Sequence, residues 1–409
     1  MMMPDTGRRI FLKSVALGAI SVPLVTSYAP KAVKFKKDRV KRGQMHYRRL
    51  GRTNLYISEI SLGGSPIPEW PILVQAIERG VNYIDTSHTY QNGNSERLIG
   101  RLFSELGRDK VYVGTKFHSR KNWSAETIVK TVEGSLSRLQ TDYIDVLHIH
   151  GAGTEEILTD ERVLSAYDRI KSAGKCRFTG ISCHTNHHKV VKKAIECGHY
   201  DVIQLGYNVF DITESEKVVE THEDYLGTSG IRHLLTLAKS HDVGILAMKV
   251  LKVGGKRQDL GKFKTEGQTI YQMMIKWALE NPNIASVNTE MLTFEQLEED
   301  LAAVGQELST GQRAALYRHV AENAKEYCHM CGTCQSECPS GIRTTEILRY
   351  LAYYEGYQKY KRAKDSYRRL KPEEQASSCR NCRTCESVCP YSVAVKKRIQ
   401  LAHSLLKNC

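Results

Sequence analysis

From about Tyr47 to about Val304 the chain alternates short apolar, β-branched runs with longer stretches whose apolar residues recur at helical spacing. The runs that read as strands are Ile57–Leu62, Val81–Asp85, Val111–Lys116, Tyr143–His150, Cys176–Ser182, Val202–Leu205, Gly244–Lys249 and Ala285–Asn288. The helical stretches between them are Ile72–Glu78, Glu96–Phe103, Ala125–Leu139, Asp160–Ser172, His188–Glu196, Ile231–Ser240, Gln268–Leu279 and Phe294–Ala303. Eight strands alternating with eight helices over about 250 residues predict an α/β fold closed as a (β/α)8 TIM barrel. A doubly wound open sheet would show the same alternation. It would also carry Gly-x-Gly-x-x-Gly after its first strand, and here Gly63-Gly64 leads only into Ser65-Pro66.

Past the barrel the pattern changes, and two cysteine runs dominate it. They are Cys328-x2-Cys331-x2-Cys334-x3-Cys338-Pro339 and Cys379-x2-Cys382-x2-Cys385-x3-Cys389-Pro390. This is the spacing by which bacterial ferredoxins hold [4Fe–4S] clusters, with the fourth cysteine reaching the neighbouring cluster. Zinc sites usually stop at paired Cys-x2-Cys, and disulfide scaffolds are short secreted domains without this duplication. Eight thiolates suit two [4Fe–4S] clusters, which move single electrons and so imply a one-electron donor or acceptor protein as partner. If the pairing is crosswise, Cys328, Cys331, Cys334 and Cys389 hold one cluster, and Cys379, Cys382, Cys385 and Cys338 the other. Between the runs Ile347, Leu348, Leu351, Tyr354, Tyr357 and Tyr360 fall at helical spacing. The pattern predicts a mainly α-helical, ferredoxin-like iron–sulfur domain, with the tyrosines as core and cluster shielding.

A chain of 409 residues, 41% hydrophobic and 25% charged, suits two or three globular domains. Its formal charge of +14 drops to about +10 with two clusters of about −2 each. Much of the remainder is the basic run Lys31, Lys34, Lys36, Lys37, Arg39, Lys41 and Arg42, and no nucleic-acid module accompanies it. Cys176, Cys183, Cys197 and Cys409 read as thiols. At the N-terminus Arg8-Arg9-Ile10-Phe11-Leu12-Lys13 resembles the twin-arginine export signal, followed by an apolar stretch, Ser14 to Val25, of signal-peptide length. Ser27-x-Ala29 and Val25-x-Ser27 are the small-residue patterns for cleavage, and Pro30 hinders the first. The expectation is a periplasmic or membrane-attached protein, with peripheral membrane association through the N-terminus if the segment is retained. The layout expected is a signal segment over 1–30, a basic linker over 31–46, the barrel over 47–304 and the cluster domain over 305–409.

In a barrel, chemistry sits where strands end. Asp85 ends the second strand, with Tyr90 in the loop behind it, Lys116 ends the third and His150 the fourth. Singly each has an ordinary structural reading; together they form a proton-transfer set.

At this point the chain resembles the aldo-keto reductase family. The matching segments are Tyr47-Arg48-Arg49-Leu50-Gly51-Arg52-Thr53, Ile84-Asp85-Thr86-Ser87-His88-Thr89-Tyr90, Gly114-Thr115-Lys116, Asp142-Tyr143-Ile144-Asp145 leading to His150, and Gly174-Lys175 to Ser182. The branch it is most similar to also carries paired ferredoxin-type cysteine runs. The resemblance implies an oxidoreductase acting on a carbonyl/alcohol pair, a sugar or small ketone by default, with NADP or NAD as hydride carrier. Tyr90 would be the general acid/base, Lys116 would lower its pKa, Asp85 would fix Lys116, and His150 would orient the carbonyl. His148 would be structural. Ser182 and Gln204 would hold the carboxamide, Tyr207 the ring pocket, Met248 the stacking position, and Lys249 to Gly255 the pyrophosphate. Cys183 replaces an asparagine, and Glu290-Met291-Leu292-Thr293 replaces the usual Gly-x-basic-Ser pattern at the adenine end. His184, His187 and His188 read as pocket wall and helix start rather than a metal site. The acidic segment from Asp211 to Gly227 reads as an inserted loop at the mouth. Two alternatives stand beside this reading: a reductase with purely structural clusters, and an electron-transfer protein with the barrel as scaffold.

Overall fold

The computed structural model describes residues 38–214, 230–252 and 260–407. The expected signal segment, the expected linker up to residue 37, most of the acidic segment, residues 253–255 of the expected pyrophosphate loop, and Cys409 lie outside the described residues. Three antiparallel strands come first, β1 (Arg39–Arg42), β2 (Met45–Arg49) and β3 (Tyr56–Ser58). The single strand expected over Ile57–Leu62 is two elements. β3 belongs to this small sheet, and β4 (Ile60–Gly63) opens the barrel. The break falls at Glu59, whose buried carboxylate accepts from Arg48 Nε at 2.6 Å and Arg39 Nη2 at 3.0 Å.

The barrel continues through β5 (Tyr83–Asp85), β6 (Tyr112–Phe117), β7 (Ile144–Ala152), β8 (Cys176–Cys183), β9 (Val202–Gly206), β10 (Gly244–Met248) and β11 (Ser286–Thr289). All pair in parallel, and β11 pairs with β4 to close the ring. The outer helices are α1 (Trp70–Glu78), α2 (Asn94–Leu106), α3 (Ala125–Leu139), α4 (Glu161–Ser172), α5 (His187–Glu196), α6 (Ile231–Ser240), α7 (Ile270–Glu280) and α8 (Phe294–Leu301). Residues of odd and even strand position part company because strand side chains alternate. Leu147, Ile149, Ile181, Ile203, Leu205 and Ala247 join the helix-facing core. Tyr83, Val146, Val202 and Leu246 form a second cluster with Leu50, Leu55 and Ile57, which plugs the end where the strands begin. Gly244 admits the plug, since a Cβ there would lie 2.6 Å from Leu50 Cδ1.

The remaining helices are α9 (Thr310–Asn323), α10 (Thr333–Ser336), α11 (Thr344–Glu355), α12 (Tyr360–Arg368), α13 (Thr384–Ser387) and α14 (Val395–Leu406). Ile342, Ile347, Leu348, Leu351, Tyr367, Val393, Val395, Ile399 and Leu406 form their own core. The duplication seen in the cysteine spacing is a duplication of backbone. Met330 (φ 60°) and Gly332 (φ 90°) turn the first run into α10, and Asn381 (φ 59°) and Arg383 (φ 62°) turn the second into α13.

Candidate functional site

Alternation sends Asp85, Lys116, His148, His150, Ser182, Gln204 and Met248 to the inner phase of their strands, at the end where the plug is absent. Lys116 Nζ donates to Asp85 Oδ1 at 2.5 Å and to the Thr86 carbonyl at 2.8 Å, and both side chains are fully buried. Lys116 Nζ also lies 5.0 Å from the Tyr90 ring centroid. The His150 ring meets Tyr90 edge-on at 5.6 Å, and its Nδ1 is 3.2 Å from Ser87 Oγ. The four residues expected to act together are brought together.

Their electrostatics differ from the sequence expectation in one respect. Burial pulls the Lys116 ammonium down, but Asp85 and Tyr90 together outweigh it and hold its pKa above the ordinary lysine value. The Tyr90 phenol sits above 10, because burial outweighs the lowering by Lys116. Burial first, then Lys116, pushes His150 well below 6.5, so its ring is neutral.

Three further histidines, one of them singled out in the sequence, stand around this set. His118 stacks on His150 at 4.3 Å, His88 meets His118 edge-on at 5.6 Å, and His184 is 6.1 Å from His150. His88 and His118 carried no sequence signal, being loop residues after strands.

A nicotinamide would need polar partners deep in the mouth. Ser182 Oγ, Gln204 Oε1 and Asn288 Oδ1 are buried with no hydrogen-bond partner among the described residues. Such groups are costly unless a ligand satisfies them, and a carboxamide fits. Ser182 and Gln204 are paired in register across β8 and β9. Asn288 was missed. Cys183 is irrelevant to that contact: it takes the outer phase, its thiol donates to the Thr185 carbonyl at 3.2 Å, and burial pushes it up to about 12. Tyr207 corrects the sequence expectation. It also takes the outer phase, stacked on Trp277 at 4.8 Å, and so faces α7 instead of a ring pocket. Met248 is inward and 8% exposed. Lys249 follows it in a left-handed conformation, φ 60°, with its ammonium pushed well below 10.5 by burial, then Lys252 and Arg349.

The thiols form two sets. Cys328 and Cys334 are each within electrostatic reach of Cys331 and Cys389, whereas Cys385 is within reach of Cys379, Cys382 and Cys338. Cys338, Cys379, Cys382 and Cys385 line one cavity with Pro339, Ile342 and Thr344. No three His, Cys, Asp or Glu side chains among the described residues close on a point as ligands of a single ion do. The Met330 amide donates to Cys328 Sγ at 3.4 Å, and Thr333 and Thr384 hydroxyls donate to Cys331 and Cys382 at 3.6 and 3.3 Å. Such donors tune a cluster's potential. The first set abuts the barrel, for Lys252 Nζ donates to the Cys328 carbonyl at 3.4 Å. The second reaches the surface at exposed Cys382.

Comparison with known proteins agrees with this geometry. The model of the aldo/keto reductase family matches residues 69–321, and that of a 4Fe-4S dicluster domain matches residues 324–393. An uncharacterized oxidoreductase of Bacillus subtilis, YqkF, is 29% identical over 305 residues, 68% of this chain and 98% of that protein. L-galactose dehydrogenase of Arabidopsis thaliana is 28% identical, covering 66% and 91%, and an NADH-specific methylglyoxal reductase of Escherichia coli 26%, covering 67% and 97%. Among solved structures, the thermostable aldo-keto reductase Tm1743 superposes with a TM-score of 0.53 at 26% identity, over 67% of this chain and 99% of that one. An aldo-keto reductase of Klebsiella pneumoniae in complex with NADPH gives 0.51 at 23%, over 66% and 93%, a likeness of fold.

Proposed function

The chain belongs to the aldo/keto reductase family, and on that premise we propose that it interconverts a carbonyl compound and its alcohol and passes electrons singly through two [4Fe–4S] clusters. One observation carries this reading. The buried contacts of Lys116 with Asp85 and Tyr90 lie in the same barrel mouth as Ser182, Gln204 and Asn288, whose polar atoms have no partner among the described residues. A bound nicotinamide supplies hydride chemistry at its C4; the protein manages the proton and the geometry.

Burial keeps Tyr90 protonated, which suits it to give its proton to the oxygen that becomes the alcohol. The Lys116 ammonium, kept charged by Asp85, then stabilises the phenolate left behind. In the oxidative direction the same phenolate takes the proton back. His150 is neutral; in the tautomer with its proton on Nε2, Nδ1 accepts from Ser87 Oγ and Nε2 can donate to the carbonyl oxygen. Ser182 and Gln204 orient the carboxamide. The first thiol set beside Lys252 and the second at the surface order the clusters from barrel to partner protein. A sugar or small ketone is the substrate class, in keeping with relatives that act on L-galactose and methylglyoxal.

The test is Tyr90→Phe in holoprotein purified without oxygen. Turnover of a carbonyl probe such as methylglyoxal should fall about 10²- to 10⁴-fold with cluster content unchanged; unaltered turnover sinks the proton role. Export rests on Arg8 and Arg9: replacing both with lysine should leave the protein inside the cell, and unchanged fractionation would remove that part of the reading.

A further inference from the structure

Segments of the cluster domain cross the mouth of the barrel. On one side Lys359 Nζ, between α11 and α12, donates to the Ser65 carbonyl beyond β4 at 3.1 Å and to Glu290 beyond β11 at 2.6 Å. On the other, the Asn186 amide beyond β8 donates to the Met330 carbonyl at 2.9 Å, and Asn208 Nδ2 beyond β9 donates to Tyr327 at 2.5 Å. β4 and β8 stand four places apart in the closed ring, so these ties lie on opposite rims.

Between them the domain brings in Arg349 and Arg362. Arg362 leans on the Tyr353 ring at 4.9 Å, and its charge is felt by Tyr90, His150 and Lys249. Arg349 leans on Tyr350 at 5.4 Å, and its charge is felt by His184, Lys249 and Lys252. Arg349 is half-buried and Arg362 exposed, so Arg349 is the more sheltered of the two from water. Among the described residues no carboxylate forms an ion pair with Lys249, Arg349 or Arg362. Glu346, the carboxylate nearest in sequence to Arg349, pairs with Arg343 at 2.9 Å; burial lowers the Arg349 pKa, but Tyr353, Tyr350 and Glu346 together outweigh it. Arg349 Nε is buried without a partner.

We propose that the substrate carries an anionic group, a carboxylate or a phosphate, bound between barrel and cluster domain by Lys249, Arg349 and Arg362. The inference rests on the carbonyl-reductase reading and narrows it from sugars and ketones to their acidic derivatives. Arg362 influences Tyr90 and His150, at the end where the carbonyl would sit. In this Arg362 differs from Lys249, which also opens the loop expected to hold the dinucleotide pyrophosphate. Arginine suits the task because its planar fork grips a carboxylate or phosphate through two bonds. With two of the three cations supplied by the cluster domain, substrate binding would also fasten that domain over the mouth.

The experiment is calorimetric titration of the anaerobically purified full chain, with and without NADH, using D-glucuronate, D-glucose 6-phosphate and D-glucose. At least one anionic sugar should bind tenfold or more tightly than glucose. Arg349→Gln and Arg362→Gln should each reduce that preference roughly ten- to a hundredfold, and Arg362→Lys should restore part of it. Comparable affinity for all three sugars, or no binding of any, overturns the proposal. So does a loss of NADH affinity in the arginine variants with the sugar preference intact, which would assign the cations to the dinucleotide. Tyr90→Phe separates the two readings: anion preference that survives while Tyr90→Phe turnover is unaltered would cost only the proton mechanism.

Discussion

The backbone amide of Asn186, beyond β8, donates to the carbonyl of Met330 at 2.9 Å, between the first two cysteines of the iron–sulfur domain. That bond joins the barrel rim to a residue whose own amide points at Cys328 Sγ. The first cysteine run and the rim of the barrel mouth are therefore tied together at this point.

The crosswise pairing of thiols is open to spectroscopy. Cys328→Ala and Cys389→Ala, 61 positions apart, should delete the same cluster, lowering iron from about eight to about four per chain. Cys338→Ala should delete the other. Electron paramagnetic resonance of the reduced variants would show it: Cys389→Ala and Cys328→Ala sharing one residual signal, Cys338→Ala leaving the complementary one. Cys389→Ala matching Cys385→Ala instead would mean each run holds its own cluster.

Asp85 is the counter-charge of a buried ammonium. Asp85→Asn leaves burial opposed at Lys116 only by Tyr90 and the Thr86 carbonyl, so its pKa should fall. Removing one member of a buried pair typically costs about 3–5 kcal/mol, and urea titration should show a loss of that order together with a strong drop in kcat. Unchanged stability would mean Lys116 finds another partner.

Acid should weaken the fold. Burial holds His148 and His187 down to about 3 and His118 to about 4, against an ordinary 6.5. From pH 6.5 down to about 4 the unfolded chain binds protons that the folded chain refuses, so stability is present above that window and lost as pH falls through it. Each group contributes up to ~1.4 kcal/mol per pH unit. Tm recorded between pH 7 and 5 should fall, and fall less steeply in His118→Gln; a flat profile would contradict the neutral histidines.

Gly180 stands beside His148, its register partner on the neighbouring strand. A Cβ there would lie 2.6 Å from His148 Nδ1 and 2.7 Å from the Val202 carbonyl oxygen. Backbone cannot retreat as a side-chain tip can, so Gly180→Ala should destabilise by about 1–3 kcal/mol. Thermal unfolding would check it, and a wild-type Tm would show more slack in the barrel than the packing indicates.

How much of this was legible beforehand follows from what local pattern encodes. Short apolar, β-branched runs and helical spacing located each barrel strand and helix, because a barrel strand is buried on both faces and an outer helix on one. The Ile57–Leu62 run alone misled, since the break at Glu59 depends on Arg48 and Arg39, which reach it from the small sheet. Strand phase, readable in principle by counting, put Ser182 and Gln204 inward; the same count puts Cys183 and Tyr207 outward.

The sequence by itself determined the barrel, the two-cluster chemistry and the set Asp85, Tyr90, Lys116 and His150, since each rests on residue type at a fixed spacing or at a strand end. Only the tertiary structure decided which thiols stand together, that burial outweighs Lys116 at Tyr90, and that Arg349 and Arg362 reach the mouth from more than 180 residues beyond His150. Electrostatic balance and contacts between domains depend on distances through space, and no periodicity along a chain records them.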